Sequence, residues 1–157
     1  MFRILALAGG GLRGAYAIGV LSEIEKQIDG PLTDYFDLIA GTSTGAITAS
    51  ALCCGMTAAE LEDFYSQHSD EIFHAREPMV PKARYRWIYP LLRKLLRRRT
   101  ELNLDHFFQS RYCPFRLTES LEDGFGDKTM READQCRLII PVVNLSDGVT
   151  AAMRTPH

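Results

Sequence analysis

Short apolar runs alternate with glycine-rich turns and helical patterns in the first third of the chain. Residues 3–8, RILALA, form an apolar run that predicts a buried strand. The helix predicted next, over 15–28, has apolar residues at helical spacing: Ala17, Val20, Leu21, Ile24 and Ile28. A second apolar run at 35–40, YFDLIA, leads through a glycine-rich turn into a small-residue helix over 46–54. The sequence therefore repeats a unit of strand, loop and helix.

Two further helices are indicated by capping and stop signals. Thr57 and Glu60 match a capping box, in which each residue satisfies a backbone donor of the other, and they predict a helix over 57–73. Residues 117–126, LTESLEDGFG, predict another helix, and Gly124 is expected to end it.

Two β-rich runs complete the predicted elements. Residues 136–145, CRLIIPVVNL, and 149–154, VTAAMR, flank a turn at 146–148 and predict a pair of strands. All the elements together predict an α/β fold with a three-layer, mostly parallel sheet and helices on both faces. Because only three or four strands can be found, the sheet is expected to be incomplete in this chain.

Length and composition are those of a single globular domain over residues 1–157, with 46% hydrophobic and 24% charged residues. The formal net charge of −2 gives no general attraction to nucleic acid. No C-x-x-C spacing occurs, and a chain of this size can form a core without disulfides, which favours a reducing, cytoplasmic compartment. No apolar run approaches the roughly 20 residues of a membrane-spanning helix, so any membrane contact is expected to be peripheral.

Positive charge is concentrated at residues 82–99, which hold eight of the 18 basic residues and no acid. Within this basic segment, the pattern of residues 90–99 (PLLRKLLRRR) predicts an amphipathic helix that could lie on an anionic membrane surface. The alternative is that its leucines pack on the domain and its arginines are solvated. Nucleic-acid binding is not expected, because no recognisable module accompanies the basic run. The candidate membrane contacts are Trp87, Arg93, Lys94, Arg97 and Arg98.

The stretch GTSTG at 41–45 follows an apolar strand and precedes a helix. G-x-S-x-G in that context is typical of a nucleophile elbow, whose tight turn needs small residues at Gly41 and Gly45 and exposes the hydroxyl of Ser43. The N-terminal end of the following helix would direct its dipole at an oxyanion formed there. The alternative is that Ser43 or Thr44 is an ordinary N-cap in a glycine-rich turn.

The stretch AGGGLRGA at 8–15 also lies between a predicted strand and a helix. Its glycines fit G-x-G-x-x-G, and with Asp34 or Asp37 as the ribose-binding acid they allow a dinucleotide-binding module as an alternative. That interpretation leaves GTSTG unexplained. An acyl-transfer enzyme uses both motifs, because it needs a second loop of backbone N–H groups facing the serine.

The pairing of GGGLRG with GTSTG about thirty residues later resembles the start of the patatin-like phospholipase family. Residues 125–148 resemble the central strand region of that family more weakly. The resemblance implies a phospholipase A-type lipid acyl hydrolase without metal or organic cofactor, acting on a phospholipid or related acyl lipid. It implies Ser43 as the nucleophile, with Thr42 and Thr44 beside it in the elbow. It also implies an oxyanion hole from Gly9, Gly10, Gly11, Leu12, Arg13 and Gly14.

The resemblance further implies a Ser-Asp dyad whose aspartate stands in a D-G-G or D-G-A motif, and the chain contains no such motif. Asp123-Gly124 and Asp147-Gly148 have a similar form, but the first is predicted at a helix end and the second in a turn. The dyad aspartate is therefore expected downstream of residue 157. A catalytically inactive lipid-binding or regulatory fragment is the corresponding alternative.

Overall fold

The computed structural model describes residues 1–28, 30–73 and 114–156. The basic segment, with the candidate membrane contacts Trp87, Arg93, Lys94, Arg97 and Arg98, lies outside the described residues. None of the described helices has the length and apolar character needed to cross a membrane.

Two compact units make up the structure. The first comprises Met1–Ser69 and Leu121–His157 and contains the sheet and both glycine motifs. The second comprises Asp70–Ser120, in which Ser120 Oγ donates a hydrogen bond to Glu71 Oε2 at 3.3 Å. The single domain expected from the sequence stays a prediction.

A four-stranded sheet forms the centre of the first unit, and its strands lie side by side in the order β1 (Ile4–Leu7), β2 (Leu38–Gly41), β3 (Arg137–Val143) and β4 (Thr150–Arg154). β1 and β3 both pair with β2 in parallel, and β4 pairs with β3 in antiparallel orientation. This confirms the mostly parallel α/β sheet and the hairpin at its end.

The helices predicted within the described residues are present, together with a short one directly before β2. Thr57 and Glu60 form the capping box, since the Thr57 N–H donates to Glu60 Oε2 at 2.8 Å and the Glu60 N–H to Thr57 Oγ1 at 3.2 Å. These hydrogen bonds hold the pKa of the Glu60 carboxyl below its usual range. The described helices are α1 (Gly14–Ile28), α2 (Leu32–Tyr35), α3 (Thr44–Cys53), α4 (Ala58–Ile72) and α5 (Pro114–Phe125).

β2 begins later than the apolar run at 35–40 predicts. Pro31 has an extended backbone and starts the single turn of α2, which takes up Tyr35. The chain becomes extended only at Phe36, whose N–H donates to the Leu32 carbonyl at 3.1 Å. Leu32 is only 1% exposed in this turn. The burial of its side chain explains why the turn, rather than a longer strand, forms here.

The buried face of α1 differs from the expected apolar stripe. Ile18 and Leu21 are buried, whereas Val20 and Ile24 are exposed. The helix itself is as predicted, but periodicity alone could not tell which of the apolar positions face the core.

Gly124 does not end α5, contrary to the sequence prediction. A Cβ at Gly124 would lie 2.6 Å from Phe64 Cε2, so this glycine is the point where α5 passes the Phe64 ring closely. The helix continues to Phe125, and Gly126 with a φ of +59° ends it.

The helices of the first unit bury their apolar residues against one face of the sheet. Ile39 of β2 and Leu138 of β3 share a cluster with Leu21, Ala49 and Leu52. Right-handed crossovers place the helices on one face when successive parallel strands are added in one direction, as in β1-β2-β3. Helices on the second face stay a prediction.

Three cysteines with free thiols lie in the described part of the chain: Cys53, Cys54 and Cys136. Burial raises the pKa of Cys53 to about 12, with Cys136 as the next contribution, and burial also raises the pKa values of Cys54 and Cys136. These thiols are therefore neutral at physiological pH.

A glutamate on α1 joins three helices. Glu25 Oε1 accepts the Leu32 N–H of α2 at 3.2 Å, and Oε2 accepts the Ala58 N–H of α4 at 2.6 Å. Both N–H groups lie at helix starts, where they lack partners within the helix and where negative charge is favourable.

The double cap made by Glu25 gives the first testable prediction. Glu25→Gln leaves one acceptor oxygen for two N–H donors, and we expect it to lower the free energy of unfolding by about 1 to 2 kcal/mol. Glu23→Gln is the matched control, because among the described residues Glu23 makes only an exposed ion pair with Lys26 at 3.5 Å. Thermal or urea unfolding of both variants tests the prediction, and equal stabilities would contradict it.

Candidate active site

The two glycine motifs meet at one edge of the sheet. One follows the carboxyl end of β1 and the other the carboxyl end of β2, and Leu7 pairs with Gly41 at those ends. The Thr42 N–H extends the pairing by donating to the Leu7 carbonyl at 3.2 Å. Parallel pairing therefore brings together segments more than thirty residues apart in the sequence.

Ser43 has the backbone of a nucleophile elbow. Its φ of 54° and ψ of −127° make it the sole non-glycine residue with positive φ in the described ranges. An L-residue in this conformation is strained, so the surrounding structure must hold it. The Gly45 N–H donates to the Thr42 carbonyl at 2.9 Å, and the Ala46 N–H donates to the Ser43 carbonyl at 2.8 Å.

The hydroxyl of Ser43 is not used to cap α3. Ser43 occupies the N-cap position, but it makes no side-chain capping hydrogen bond, and it is exposed. The alternative interpretation of an ordinary N-cap predicted such a bond. Thr44 cannot supply it either, because Thr44 is the first residue of α3 and its buried Oγ1 has no hydrogen-bond partner among the described residues.

Glycines make the tight elbow sterically feasible. A Cβ at Gly41 would overlap the Gly45 carbonyl oxygen, and a Cβ at Gly45 would overlap the Leu7 carbonyl oxygen. α3 can therefore begin directly against the ends of β1 and β2 only because both positions lack a side chain.

The glycine loop, residues 8–14, passes directly beside Ser43. A Cβ at Gly9 would lie 2.6 Å from Ser43 Cβ and 2.7 Å from the Thr42 carbonyl oxygen. The Gly9 N–H donates to Thr42 Oγ1 at 3.2 Å. Farther along, Gly14 leaves room for Thr44, whose Cβ would be 3.1 Å from a Cβ at Gly14.

Some N–H groups of the glycine loop have no hydrogen-bond partner among the described residues. It forms a 3-10 turn in which the Arg13 N–H donates to the Gly10 carbonyl at 3.3 Å and the Gly14 N–H to the carbonyls of Gly11 and Leu12. Together with the Gly9–Thr42 bond, these use three of the six N–H groups of residues 9–14. The N–H groups that no hydrogen bond among the described residues uses are those of Gly10, Gly11 and Leu12.

Gly11 adopts a φ of 60°, which favours glycine and turns the chain into the 3-10 turn. The side chains of Leu12 and Arg13 are exposed. The N-terminal end of α3, with the Thr44 N–H also unused within the described residues, lies next to Ser43. Backbone N–H groups and a helix dipole beside a serine hydroxyl can stabilise an oxyanion.

The two candidate aspartates, Asp147 and Asp123, make their contacts elsewhere in the described fold. Asp147 lies in the β3–β4 turn, where its carboxylate accepts the Val149 N–H and Asn144 Nδ2, each at 3.0 Å. Asp123 is part of α5, and within the described residues no hydrogen bond involves the Ser43 hydroxyl. The structure therefore brings together Ser43 and the glycine loop, and within the described residues it places no hydrogen-bonded base beside Ser43.

The acids that a dinucleotide-binding module would need lie at the wrong edge of the sheet. Asp34 is in α2, and Asp37 precedes β2, where its Oδ2 accepts the Arg3 N–H at 2.6 Å. The glycine loop lies at the opposite end of the strands, about 13 Å away for a strand of four residues. This geometry disfavours that alternative. In the described ranges, no group of three His, Cys, Asp or Glu residues is placed to hold a metal ion.

The bond between Gly9 and Thr42 is the feature of the site that sequence reasoning missed. Thr42 was expected only as a member of the elbow. The first threonine of GTSTG, Thr42, is the part of the sequence that could have indicated this bond, but its hydroxyl could equally have faced solvent or its own turn.

Comparisons with known proteins find one matching family and several similar relatives. The family described as "Patatin-like phospholipase" matches residues 5–152. The chain is 36% identical to "cGAMP-activated phospholipase" of Vibrio cholerae, over 99% of this chain and 41% of that protein. It is 35% identical to a protein of the same name from Escherichia coli, over 99% of this chain and 40% of that protein. "cUMP-AMP-activated phospholipase" of Escherichia coli is 43% identical over 47% of this chain and 23% of that protein. The chain thus spans about two fifths of the first two relatives.

The contact between Gly9 and Ser43 predicts an intolerance to any side chain at position 9. We expect Gly9→Ala to lower the free energy of unfolding by about 1 to 3 kcal/mol, because the loop or the elbow must move. Gly30→Ala is the control, since a Cβ there meets nothing within 4 Å and should stabilise by roughly 0.4 to 1 kcal/mol. Denaturant unfolding distinguishes the two, and a Gly9→Ala protein as stable as Gly30→Ala would refute the contact.

Proposed function

The chain belongs to the patatin-like phospholipase family, and on this basis we propose that it supplies the nucleophile and the oxyanion hole of a phospholipid acyl hydrolase. The observation that carries the proposal is the strained, exposed Ser43 beside a glycine loop in which three N–H groups have no partner among the described residues. The substrate class follows from the family and from relatives named phospholipases.

The proposed reaction proceeds through an acyl-enzyme. Ser43 Oγ attacks the ester carbonyl carbon while a base takes its proton, and the carbonyl oxygen becomes an oxyanion. The N–H groups of Gly10, Gly11 and Thr44 donate to this oxyanion. The tetrahedral intermediate collapses as the lysophospholipid oxygen leaves with the proton, and water then hydrolyses the acyl-serine by the same steps.

The base is proposed to be an aspartate outside these residues. Both carboxylate oxygens of Asp147 accept hydrogen bonds within its turn, and Asp123 lies inside α5. Neither is followed by Gly-Gly or Gly-Ala, the pattern that the resemblance implies. Activity is therefore proposed for the whole protein. Peripheral membrane contact through the basic segment, with cytoplasmic location, remains part of the proposal.

Regulation by a cyclic dinucleotide is a further part of the proposal. Two relatives that match nearly the whole chain are named as cGAMP-activated, and another that matches about half of it as cUMP-AMP-activated. The region matched by the two cGAMP-activated relatives contains Ser43 and the glycine loop, so the resemblance to these relatives extends over the candidate site.

Replacing the nucleophile separates chemistry from strain. In the whole protein, Ser43→Ala should abolish phospholipid hydrolysis and leave the free energy of unfolding within about 0.5 kcal/mol of the original. Ser43→Gly should also abolish hydrolysis but stabilise by about 1 kcal/mol, because glycine adopts the positive φ without strain. The measurements are fatty-acid release from phospholipid vesicles and thermal unfolding.

Three outcomes with the Ser43 variants and the unsubstituted protein would change this assignment. Unchanged turnover in Ser43→Ala would sink the assignment of the nucleophile. Equal stability of the alanine and glycine variants would show that the elbow is not strained. Vesicle binding without hydrolysis by the unsubstituted protein would favour the alternative of an inactive lipid-binding protein.

Cyclic-dinucleotide control predicts a ligand-dependent rate. We expect fatty-acid release by the whole protein to increase at least about tenfold with either cGAMP or cUMP-AMP, the lower part of the range for allosteric coupling. A linear dinucleotide of the same bases is the control. The same rate with all these nucleotides and with none would contradict this regulation while leaving the hydrolase proposal intact.

A further inference from the structure

We propose that Thr42 is a positioning residue for the oxyanion hole, a role that rests on the proposed hydrolase function. Its hydroxyl accepts the Gly9 N–H and thereby fixes the glycine loop at a set distance from Ser43. Thr42 itself does not touch the reacting atoms in this proposal. It acts through the loop that carries the oxyanion donors.

The hydrogen bond from the Gly9 N–H to Thr42 Oγ1 is the last one between the ends of β1 and β2 in the described structure. The proposed oxyanion donors of the glycine loop follow directly after it. The Thr42 N–H donates to the Leu7 carbonyl at 3.2 Å, and Thr42 Oγ1 then accepts the Gly9 N–H at 3.2 Å. After Gly9, the hydrogen bonds of the loop within the described residues are those of its own 3-10 turn. Thr42 therefore contacts the glycine loop directly before Gly10, the first unused donor.

Two opposing constraints act at Gly9. Ser43 prevents a closer approach, because a Cβ placed on Gly9 would already lie 2.6 Å from Ser43 Cβ. The bond to Thr42 Oγ1 prevents the loop from moving away. Contact on one side and attraction on the other define the separation between Ser43 and the following residues of the loop.

The same bond decides which N–H groups remain for the oxyanion. The Gly9 N–H is committed to Thr42, so it is not an oxyanion donor even though Gly9 belongs to the glycine motif. Gly10 and Gly11 follow directly, and no acceptor in the described part of the chain uses their N–H groups. A donor must lie about 3 Å from the oxyanion, and a shift of about 1 Å can lower a rate by about a hundredfold.

The consequence is a specific kinetic effect. Loss of the Thr42 hydroxyl lets the loop move, which weakens hydrogen bonds that reach full strength only in the transition state. The effect should therefore fall on kcat and leave KM almost unchanged. Valine has the shape of threonine without the acceptor, and serine retains the hydroxyl, so the two substitutions isolate the hydrogen bond.

The test compares three variants of the whole protein on phospholipid vesicles. Thr42→Val should lower kcat by roughly 10- to 100-fold with KM within about twofold, whereas Thr42→Ser should stay within about threefold of the original kcat. Thr48→Val is the matched control, because it makes the same substitution at another threonine of the first unit. The Thr48 hydroxyl donates to the Thr44 carbonyl, and that carbonyl keeps the hydrogen bond from the Tyr65 hydroxyl when Thr48 is replaced. We expect its kcat to be unchanged within about twofold.

A second measurement is independent of turnover. Amide hydrogen exchange at Gly9 should be at least about tenfold faster in Thr42→Val than in Thr42→Ser, because the valine variant lacks the acceptor. Equal exchange rates in these variants, or equal kcat losses, would overturn the positioning role. If the unsubstituted protein shows no hydrolysis, the hydrolase proposal fails, and the exchange experiment alone decides whether Thr42 holds the loop.

Discussion

The parallel pairing of β1 with β2 is the constraint on which the candidate site depends. It places Leu7 beside Gly41, so that the chain leaves both strands at the same edge of the sheet. Gly45 must lie against the Leu7 carbonyl, and Gly9 must lie against Ser43. The absence of side chains at these positions follows from the close approach of two strand ends and a helix start, and it explains why both motifs are rich in glycine.

The strain at Ser43 is supported by this dense surrounding. α3 is buried along most of its length and carries no charged residue, and Ala49 and Leu52 join it to the core that contains Ile39. Backbone hydrogen bonds from Gly45 and Ala46 fix the elbow from the other side. A rigid helix start can thus hold a serine in a conformation that would be unfavourable in a free turn.

Local signals in the sequence predicted most elements and the elbow. Strand and helix periodicity and the capping box at Thr57 depend on neighbouring residues, and the structure confirms them. The two glycine motifs are equally local, and the structure places them side by side, while their catalytic role stays a prediction. The features that the sequence did not predict depend on contacts between distant residues. They include the Glu25 cap on α4, the packing of Gly124 on Phe64 and the bond between Gly9 and Thr42. A single sequence does not encode such pairings in any short pattern.

The central claim is that Ser43 is a nucleophile activated in the assembled protein. Fluorophosphonates form a covalent adduct with such a serine, and peptide mass spectrometry locates the adduct on the chain. Labelling the whole protein under conditions where it releases fatty acid from phospholipid should place one adduct on the peptide that contains Ser43. An actively hydrolysing protein that is unlabelled at Ser43, or is labelled at another serine instead, would contradict the account.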